Sequence, residues 1–209
     1  QNRYGQLATT LNNNGYDPVP TPTDVSNQGG LSGDTVVFAA GGNECTFCLT
    51  QTGKIFAFGV NNFGQMGTPT NVGNGNPNPT PIDISGNGAL NDEKVTFVAS
   101  HSLTTVCLTE TGKIVAFGYN YYGQMGTSTN AGTSISNSTP IDISTEGALN
   151  GRVVKSVAVG NYTTCLTDDH KIVTFGINSN GGLLSSTNIG TSDPNPIPTD
   201  VTSSFPSPL

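Results

Sequence analysis

Apolar residues in this chain come in short runs rather than at helical spacing. Thr35–Ala40, Cys45–Thr50 and Lys54–Phe58 are rich in β-branched and aromatic residues, and turn residues separate them. A fourth strand is predicted at Pro81–Ser85, with proline at the strand start, where no ladder hydrogen bond is lost. No window has a convincing helical period. The pattern predicts an all-β protein built from short antiparallel strands.

Two-residue turns join the second and third predicted strands of each group. Thr52-Gly53 and Thr111-Gly112 place glycine where such a hairpin needs a left-handed residue. Asp169-His170 takes the same place further along, and both residue types tolerate that backbone conformation. Three similar hairpins are therefore expected.

The strand pattern is an internal repeat. Glycines 5, 64, 123 and 181 are equivalent and lie 59, 59 and 58 residues apart. The segments that align without gaps are KIFAFGVNNFGQMG (54–67), KIVAFGYNYYGQMG (113–126) and KIVTFGINSNGGLL (171–184), and NRYGQLA (2–8) matches the end of the same unit. Four strands per unit at this period predict β-propeller blades, which need neighbouring blades to bury both faces.

The period divides the chain into about three and a half repeats within one continuous domain. The predicted parts are the end of a repeat at 1–34 and full repeats at 35–93, 94–152 and 153–209. The chain begins inside one unit and stops before the next would begin, so we expect an unfinished blade at each end and a chain that is part of something longer or of an assembly.

Charge is scarce. Asp, Glu, Lys and Arg make up 10% of the residues, where about 25% is usual. The 7 basic residues are scattered among 14 acidic ones, for a net charge of −7. Nucleic acid is not an expected partner, because phosphate binding needs clustered Lys and Arg. No run approaches 18 apolar residues, so no membrane span is predicted.

The repeated residues resemble those of a known family. Residues 58–67 and 117–126 both read Phe-Gly-x-Asn-x-x-Gly-Gln-Met-Gly, after a strand that ends in Leu-Thr and a turn. This pattern resembles the repeat of the RCC1 (regulator of chromosome condensation) family, whose members usually close a seven-bladed ring. The resemblance implies RCC1-like β-propeller blades, about 3.5 repeats of 58–59 residues, as a partial propeller or half of a seven-bladed ring.

The chain also departs from the family pattern. Phe58, Phe117 and Phe175 stand where the family usually has Trp. In the third copy, residues 181–184 read Gly-Gly-Leu-Leu and lack both the Gln and the last Gly. We therefore expect an altered turn in that copy.

The polar and glycine positions of the repeat are predicted to be structural. Asn and Gln side chains bond to nearby backbone groups, and glycine supplies unusual backbone angles. The predicted turn residues are Gly59, Asn61, Gly64, Gln65, Gly118, Asn120, Gly123, Gln124, Gly176, Asn178 and Gly181. Asp24, Asp83, Asp142 and Asp200 also recur, and a turn role beside the proline-containing strand is favoured over a calcium site, since no DxDxDG spacing occurs.

The sequence offers no catalytic, metal or cofactor constellation. GxSxG, HExxH and GxxxxGK[ST] are absent. Cys45 and Cys48 have CxxC spacing, but strand residues three apart point to opposite faces. We expect all four cysteines to be buried free thiols. The protein is therefore predicted not to be an enzyme.

The composition favours an extracellular protein, in which two sequons are candidates for glycans. Asn137 and Asn161 each begin an N-x-[ST] sequence, and Asn137 lies in a predicted loop, which makes it the better candidate for a glycan. Scarce charge, abundant Asn and Thr and the lack of basic clusters agree with this location.

Three functions are compatible with the sequence, since fold does not fix activity, and the first is the main prediction, the other two its alternatives. The first is a non-catalytic structural protein that binds itself, its ends completing neighbouring chains into a ring or filament. The second is a propeller that binds another protein through loops 68–80 and 127–139 and the aromatic residues Phe63, Tyr121 and Tyr122. The third, a guanine nucleotide exchange factor for a small GTPase, is implied only by the resemblance.

Overall fold

Three four-stranded antiparallel sheets follow one another along the chain. The computed structural model describes residues 1–12 and 14–205. In each sheet the strands lie side by side in chain order, and every connection joins neighbouring strands. The strands of the first sheet are β1 (Val36–Gly41), β2 (Cys45–Thr50), β3 (Ile55–Gly59) and β4 (Asn78–Asp83). Those of the second are β5 (Val95–His101), β6 (Thr104–Thr109), β7 (Ile114–Gly118) and β8 (Asn137–Asp142). Those of the third are β9 (Val154–Val159), β10 (Tyr162–Thr167), β11 (Ile172–Gly176) and β12 (Asn195–Asp200).

The predicted all-β architecture of propeller blades is confirmed. The first strands of successive sheets, β1, β5 and β9, contact one another and form the inner edge of the array. The helical elements of the described residues are short 3-10 turns at Gly29–Leu31, Gly88–Leu90, Gly147–Leu149 and Thr202–Ser204. None of them is long and apolar enough to cross a membrane.

The fourth strand of each blade differs from its prediction. β4 begins at Asn78 rather than Pro81 and ends at Asp83 rather than Ser85. It is the outermost strand of its sheet and pairs only with β3, so Pro79 and Pro81 are tolerated inside it. The same shift shortens the predicted loops 68–80 and 127–139 to 68–77 and 127–136.

The hairpin turns match the sequence prediction. Gly53 and Gly112 adopt φ angles of 84° and 86°, and His170 adopts 62°. All three are left-handed. The hairpin between β10 and β11 is therefore formed without glycine.

The turn of the third copy keeps its backbone hydrogen bonds, and the expected alteration is confined to the lost bond that Gln65 and Gln124 accept from Phe63 N–H and Tyr122 N–H in the first two copies. Gly181 N–H donates to Asn178 O (3.2 Å) and Leu184 N–H donates to Gly181 O (3.1 Å), as the equivalent residues do in the first two copies. The Asn178 amide holds this turn through Ser185 O and Thr187 O, both at 2.8 Å. Leu184 accordingly adopts a left-handed φ of 52°, which is rare for a residue of its type.

The hydrophobic core lies between blades. We call the side of a blade that faces the following blade its trailing face, and the other side its leading face. The trailing face of the first blade consists of Phe47, Leu49, Ile55, Ala57 and Met66, which pack on Val98, Cys107, Val115 and Phe117 of the second. The same positions pack the second blade on the third, through Val106, Leu108, Ile114, Ala116 and Met125 against Val157, Cys165, Val173 and Phe175. Burial between neighbours is what stabilises the blades.

Residues that precede the first blade cover its leading face. Ala8 and Leu31 are buried against Phe56 and Phe58. Residues 19–24 align with β4 and β8 but lie outside all three sheets. The third sheet, in contrast, has all four strands. The prediction of an unfinished blade at each end is therefore wrong for the C-terminal end of the described chain; residues 206–209 of the last predicted repeat lie outside the described residues.

Candidate functional site: the loop face

The up-and-down strand order gives the array two ends with different connections. One end, the loop face, carries the β1–β2, β5–β6 and β9–β10 turns and the long loops 60–77, 119–136 and 177–194. The opposite end, the hairpin face, carries the β2–β3, β6–β7 and β10–β11 hairpins and the connections between blades.

Ion pairs gather on the hairpin face. In the described part of the chain they join Lys54 to Asp34 (3.2 Å), Lys94 to Glu110 (3.4 Å), Lys113 to Glu93 (2.7 Å), and Arg152 to Asp169 (3.0 Å) and Asp200 (3.8 Å). The hydrogen bond from Lys113 lowers the pKa of the Glu93 carboxyl. The hairpin face is thus a mixed-charge surface.

The loop face holds few charges. The two long loops 60–77 and 119–136 contain none, whereas Arg3, Asp17, Glu44 and Asp193 lie elsewhere on this face. Arg3 is placed over the rings of Tyr4 and Tyr16, at 5.0 and 4.5 Å from their centroids. The long loops of the first two blades are therefore neutral and rich in Asn and Thr, and Glu44 in the β1–β2 turn is the loop-face charge that lies nearest to the first of them along the chain.

An aromatic row crosses this neutral surface. Phe63 meets Tyr119 of the next blade edge-on at 5.0 Å between centroids, Tyr119 stacks on Tyr121 at 6.0 Å, and Tyr121 meets Tyr122 edge-on at 5.1 Å. Tyr121 is 36% exposed, and the other three are partly buried. The three predicted contact residues therefore lie together, packing between blades while still reaching solvent.

Sequence reasoning missed Tyr119 as a member of this row. Its equivalents in the other two copies are Val60 and Ile177, so the repeat does not predict an aromatic residue at this position. Its position beside Phe63 follows from blade-to-blade packing. The available signal was the unusual aromatic density of 119–122 compared with the other copies.

The repeated turn residues anchor the long loops. Asn120 Nδ2 donates to Thr127 O and Thr129 O at 2.8 Å each, and Asn120 Oδ1 accepts from Met125 N–H at 2.9 Å. Asn61 makes the same three bonds in the first blade. Gln65 and Gln124 accept from the N–H of Phe63 and Tyr122. Gly59, Gly64, Gly118, Gly123, Gly176 and Gly181 all have positive φ.

The recurring aspartates form local turns. Asp24, Asp83, Asp142 and Asp200 each accept from the backbone N–H two residues on, at 2.9 Å. Within residues 1–12 and 14–205, no group of three or more His, Cys, Asp or Glu side chains could hold a metal ion.

All four cysteines are free and buried. Burial raises the pKa of the Cys45 and Cys165 thiols to about 12 and also raises the pKa of the Cys107 and Cys48 thiols. These thiols stay protonated at neutral pH and behave as small apolar side chains.

The two sequon asparagines lie in different settings. Asn137 is not in a loop as predicted: it is the first residue of β8 and only 5% exposed. Its amide donates to Gly118 O (3.1 Å), and its carbonyl accepts from Asn130 (2.9 Å), so a glycan there would break the folded contacts. Asn161 lies exposed in the β9–β10 turn. Its glycosylation stays a prediction.

Comparison with known proteins agrees with the fold. The chain is 29% identical over 187 residues to mouse "Probable E3 ubiquitin-protein ligase HERC4", covering 88% of this chain and 16% of that protein. It is 33% identical over 159 residues to the dog "X-linked retinitis pigmentosa GTPase regulator", covering 75% of this chain and 15% of that protein. The crystal structure of Prp20p from Saccharomyces cerevisiae superposes with a TM-score of 0.71 at 18% identity, over 96% of this chain and 44% of that chain.

The family repeat itself matches twice. The description "Regulator of chromosome condensation (RCC1) repeat" fits residues 52–108 and 111–167. Each match begins at a β2–β3 type hairpin and runs into the second strand of the following blade, so the family repeat and the sheets are out of phase. Together the matches cover more than half of the sequence, and the chain belongs to the RCC1 repeat family.

Proposed function

We propose that this chain is a non-catalytic propeller segment that binds a protein partner through its loop face. The observation that carries the proposal is the aromatic row from Phe63 to Tyr122 on a surface whose two long loops hold no charge. Partly exposed tyrosines on a rigid scaffold are typical anchors of protein interfaces. The Asn- and Thr-rich surroundings supply hydrogen-bonding groups at the rim.

The electrostatics of the face favour a partner surface that is itself neutral. A strongly charged partner would lose hydration on the loop face without gaining ion pairs there. The contact is therefore expected to depend on apolar burial and neutral hydrogen bonds, and to be insensitive to salt.

Protein binding agrees with what relatives do. One solved structure of this fold is yeast RCC1 (Prp20), which was crystallised with Kap60 bound to it. A second structure of Prp20p is described together with its binding to Gsp1p and histones. The present chain covers only 37–44% of those structures. We carry over protein binding as a class of function, and no individual partner.

Affinity capture with matched variants tests the proposal. The wild-type chain is compared with Y121S on the loop face and with K94S on the hairpin face, where the Lys94 side chain is 65% exposed. We expect partners captured by the wild type to be retained by K94S and lost by Y121S, with both variants as stable as the wild type. Partners lost with K94S and kept with Y121S would overturn it.

End-to-end self-assembly, the other function predicted from the sequence, has less support in the described residues. Residues 19–24 align with the outer strand of a blade, so another chain would have to supply the three inner strands beside them. The third sheet cannot do this, because its four strands are already paired with one another. Exposed Val36, Val37 and Phe38 on β1 are the feature that favours self-contact. Sedimentation at high protein concentration separates the two functions, since assembly predicts large particles and loop-face binding predicts monomers.

Two further predictions stay untested. Exchange-factor activity rests on relatives named for GTPase regulation, and measured nucleotide release from small GTPases would decide it. The extracellular location rests on composition alone.

A further inference from the structure

The aromatic row lies at the junction of the first two blades and is not repeated at the next junction. Its three tyrosines have no aromatic counterpart in the third copy, where their positions hold Ile177, Ser179 and Asn180. The row is therefore a property of one place on the loop face, and the repeat as such does not require it.

The four rings of the row stand in different orientations. Tyr119 and Tyr121 are parallel to within 8°, whereas Phe63 is tilted by 67° to Tyr119, and Tyr122 by 85° to Tyr121. Two parallel rings are thus flanked by a crossing ring at each end. The row presents a ridged aromatic surface rather than a flat one.

Hydrogen bonds hold both ends of the row in position. Phe63 N–H donates to Gln65 Oε1 at 2.8 Å, and Tyr122 N–H donates to Gln124 Oε1 at 2.9 Å. Both glutamines are buried. A surface that is ordered in this way loses little conformational entropy when a ligand binds.

The tyrosine hydroxyls are the polar groups that the row itself offers to a ligand. Within the described residues, Tyr119, Tyr121 and Tyr122 make hydrogen bonds only through their backbone groups. Their hydroxyls are free to donate, and a ligand with unpaired carbonyl groups is the natural acceptor.

The asparagine amides of the surrounding loops serve the loops themselves. Apart from Asn76, each asparagine in 60–77 and 119–136 makes a side-chain hydrogen bond within the described structure: Asn61, Asn62, Asn71, Asn74, Asn120 and Asn130. A glycan, whose many hydroxyls need free amides or carboxylates, is therefore a poorer match than a ligand that needs only donors and apolar contact.

We propose that the aromatic row binds an uncharged, proline-rich segment of the partner in the polyproline II conformation, an inference that rests on the proposed function of the loop face. Such a helix has no internal hydrogen bonds, and proline has no N–H, so the segment presents carbonyls that need donors. Aromatic rings supply the apolar surface on which proline-rich segments dock. At 3.1 Å per residue, about five residues span a row whose neighbouring centroids lie 5.0, 6.0 and 5.1 Å apart.

Other peptide conformations match the row less well. A partner strand needs a free sheet edge, whereas Tyr119, Tyr121 and Tyr122 lie in the loop that follows β7. An amphipathic helix needs a hydrophobic groove for its apolar face, and the ridged row lacks one. The absence of charge in both long loops favours an uncharged segment.

Calorimetric titration with a capped peptide of about ten prolines tests the inference. Y121F removes one hydroxyl and keeps the ring, and Y162F makes the same change outside the row, at a tyrosine that is 40% exposed against 36% for Tyr121. We expect Y162F to bind as tightly as the wild type, Y121F about 3- to 10-fold more weakly, and Y121S at least about 10-fold more weakly. A capped Gly-Ser peptide of the same length should not bind.

An affinity of Y121F or Y121S equal to that of the wild type would overturn the inference, as would binding of a neutral hexasaccharide in place of the proline peptide. Affinity capture with Y121S separates such a result from failure of the proposed function. Partners lost with Y121S, together with no binding of the proline peptide, would refute the proline-rich segment and leave the loop face as a protein-binding surface. Partners kept with Y121S would refute both.

Discussion

Thr105 donates its side-chain hydroxyl to the backbone carbonyl of Gln65 in the preceding blade, at 2.9 Å and out of contact with solvent. The same bond joins Thr46 to Gln6 O (2.9 Å) and Thr163 to Gln124 O (2.8 Å). Each blade therefore holds the loop turn of the blade before it. Thr105 thus fixes the loop of the preceding blade that carries Phe63, and Thr163 fixes the one that carries Tyr122.

Removing this hydroxyl should loosen the interface between blades. T105V keeps the shape of the side chain but leaves the Gln65 carbonyl buried without its donor. We expect the free energy of unfolding to fall by about 1–3 kcal/mol, measured by denaturant titration. T105S retains the donor and should lose clearly less; an equal loss in both variants would mean that packing, and not the hydrogen bond, matters.

The Asn120 amide should be the strongest single contributor to its loop. N120A removes three hydrogen bonds to backbone groups, two of which are buried, and we expect a loss of about 3 kcal/mol. N150A changes an exposed asparagine whose side chain makes no hydrogen bond in the described contacts, and it should stay within about 0.5 kcal/mol of the wild type. Thermal and denaturant unfolding of the two variants would check this, and similar losses would refute the assigned role.

Crowding and backbone strain can be separated at two glycines. Gly126 and Gly151 have φ angles of 77° and 79°, but only Gly126 lies against another side chain, the Phe175 ring. G151A should cost about 1–2 kcal/mol from strain alone, and G126A should cost more because the ring must also move. L184G should stabilise the chain by relieving the strain at φ 52°. Denaturation midpoints would rank the three variants, and a G126A loss no larger than that of G151A would be contrary to the packing described.

Alkaline pH should destabilise the fold through the buried thiols. Burial raises the pKa of Cys45 and Cys165 to about 12 from an ordinary 9.0, so the unfolded chain releases these protons first. This contribution is fully present below pH 9 and is lost as the pH rises toward 12, by at most about 1.4 kcal/mol per pH unit for each thiol. C165A should show a shallower decline than the wild type between pH 9 and 11. An unchanged slope would argue against a protonated buried thiol.

Local pattern was sufficient to predict most of the fold. The strands from Thr35 to Phe58, the hairpin glycines and the His170 turn all follow from residue-by-residue preferences, which a short-period β structure makes visible. The prediction misplaces the fourth strand because it allows proline only at a strand start. In an outer edge strand proline is tolerated internally, and the same error put Asn137 in a loop.

Features that depend on contacts between blades could not be predicted in the same way. Nothing in the repeat distinguishes Tyr119 from Val60 and Ile177, and its contact with Phe63 of the preceding blade appears only in the packed structure. Charged residues are scattered along the sequence, and their concentration on the hairpin face follows from the strand order, which brings alternate connections to the same end of the array. Residues 181–184 depart from the repeat in the sequence itself, but which face of the blade they lie on follows only from the packing of the first two blades.

The affinity of a captured partner as a function of salt is the most direct test of the loop face as a protein-binding surface. We predict that the Kd of the wild-type chain changes less than about 3-fold between 50 and 500 mM NaCl, and that Y121S weakens it at least about 10-fold at both concentrations. A Kd that rises steeply with salt and ignores Y121S would place binding on the charged hairpin face and contradict the proposed function.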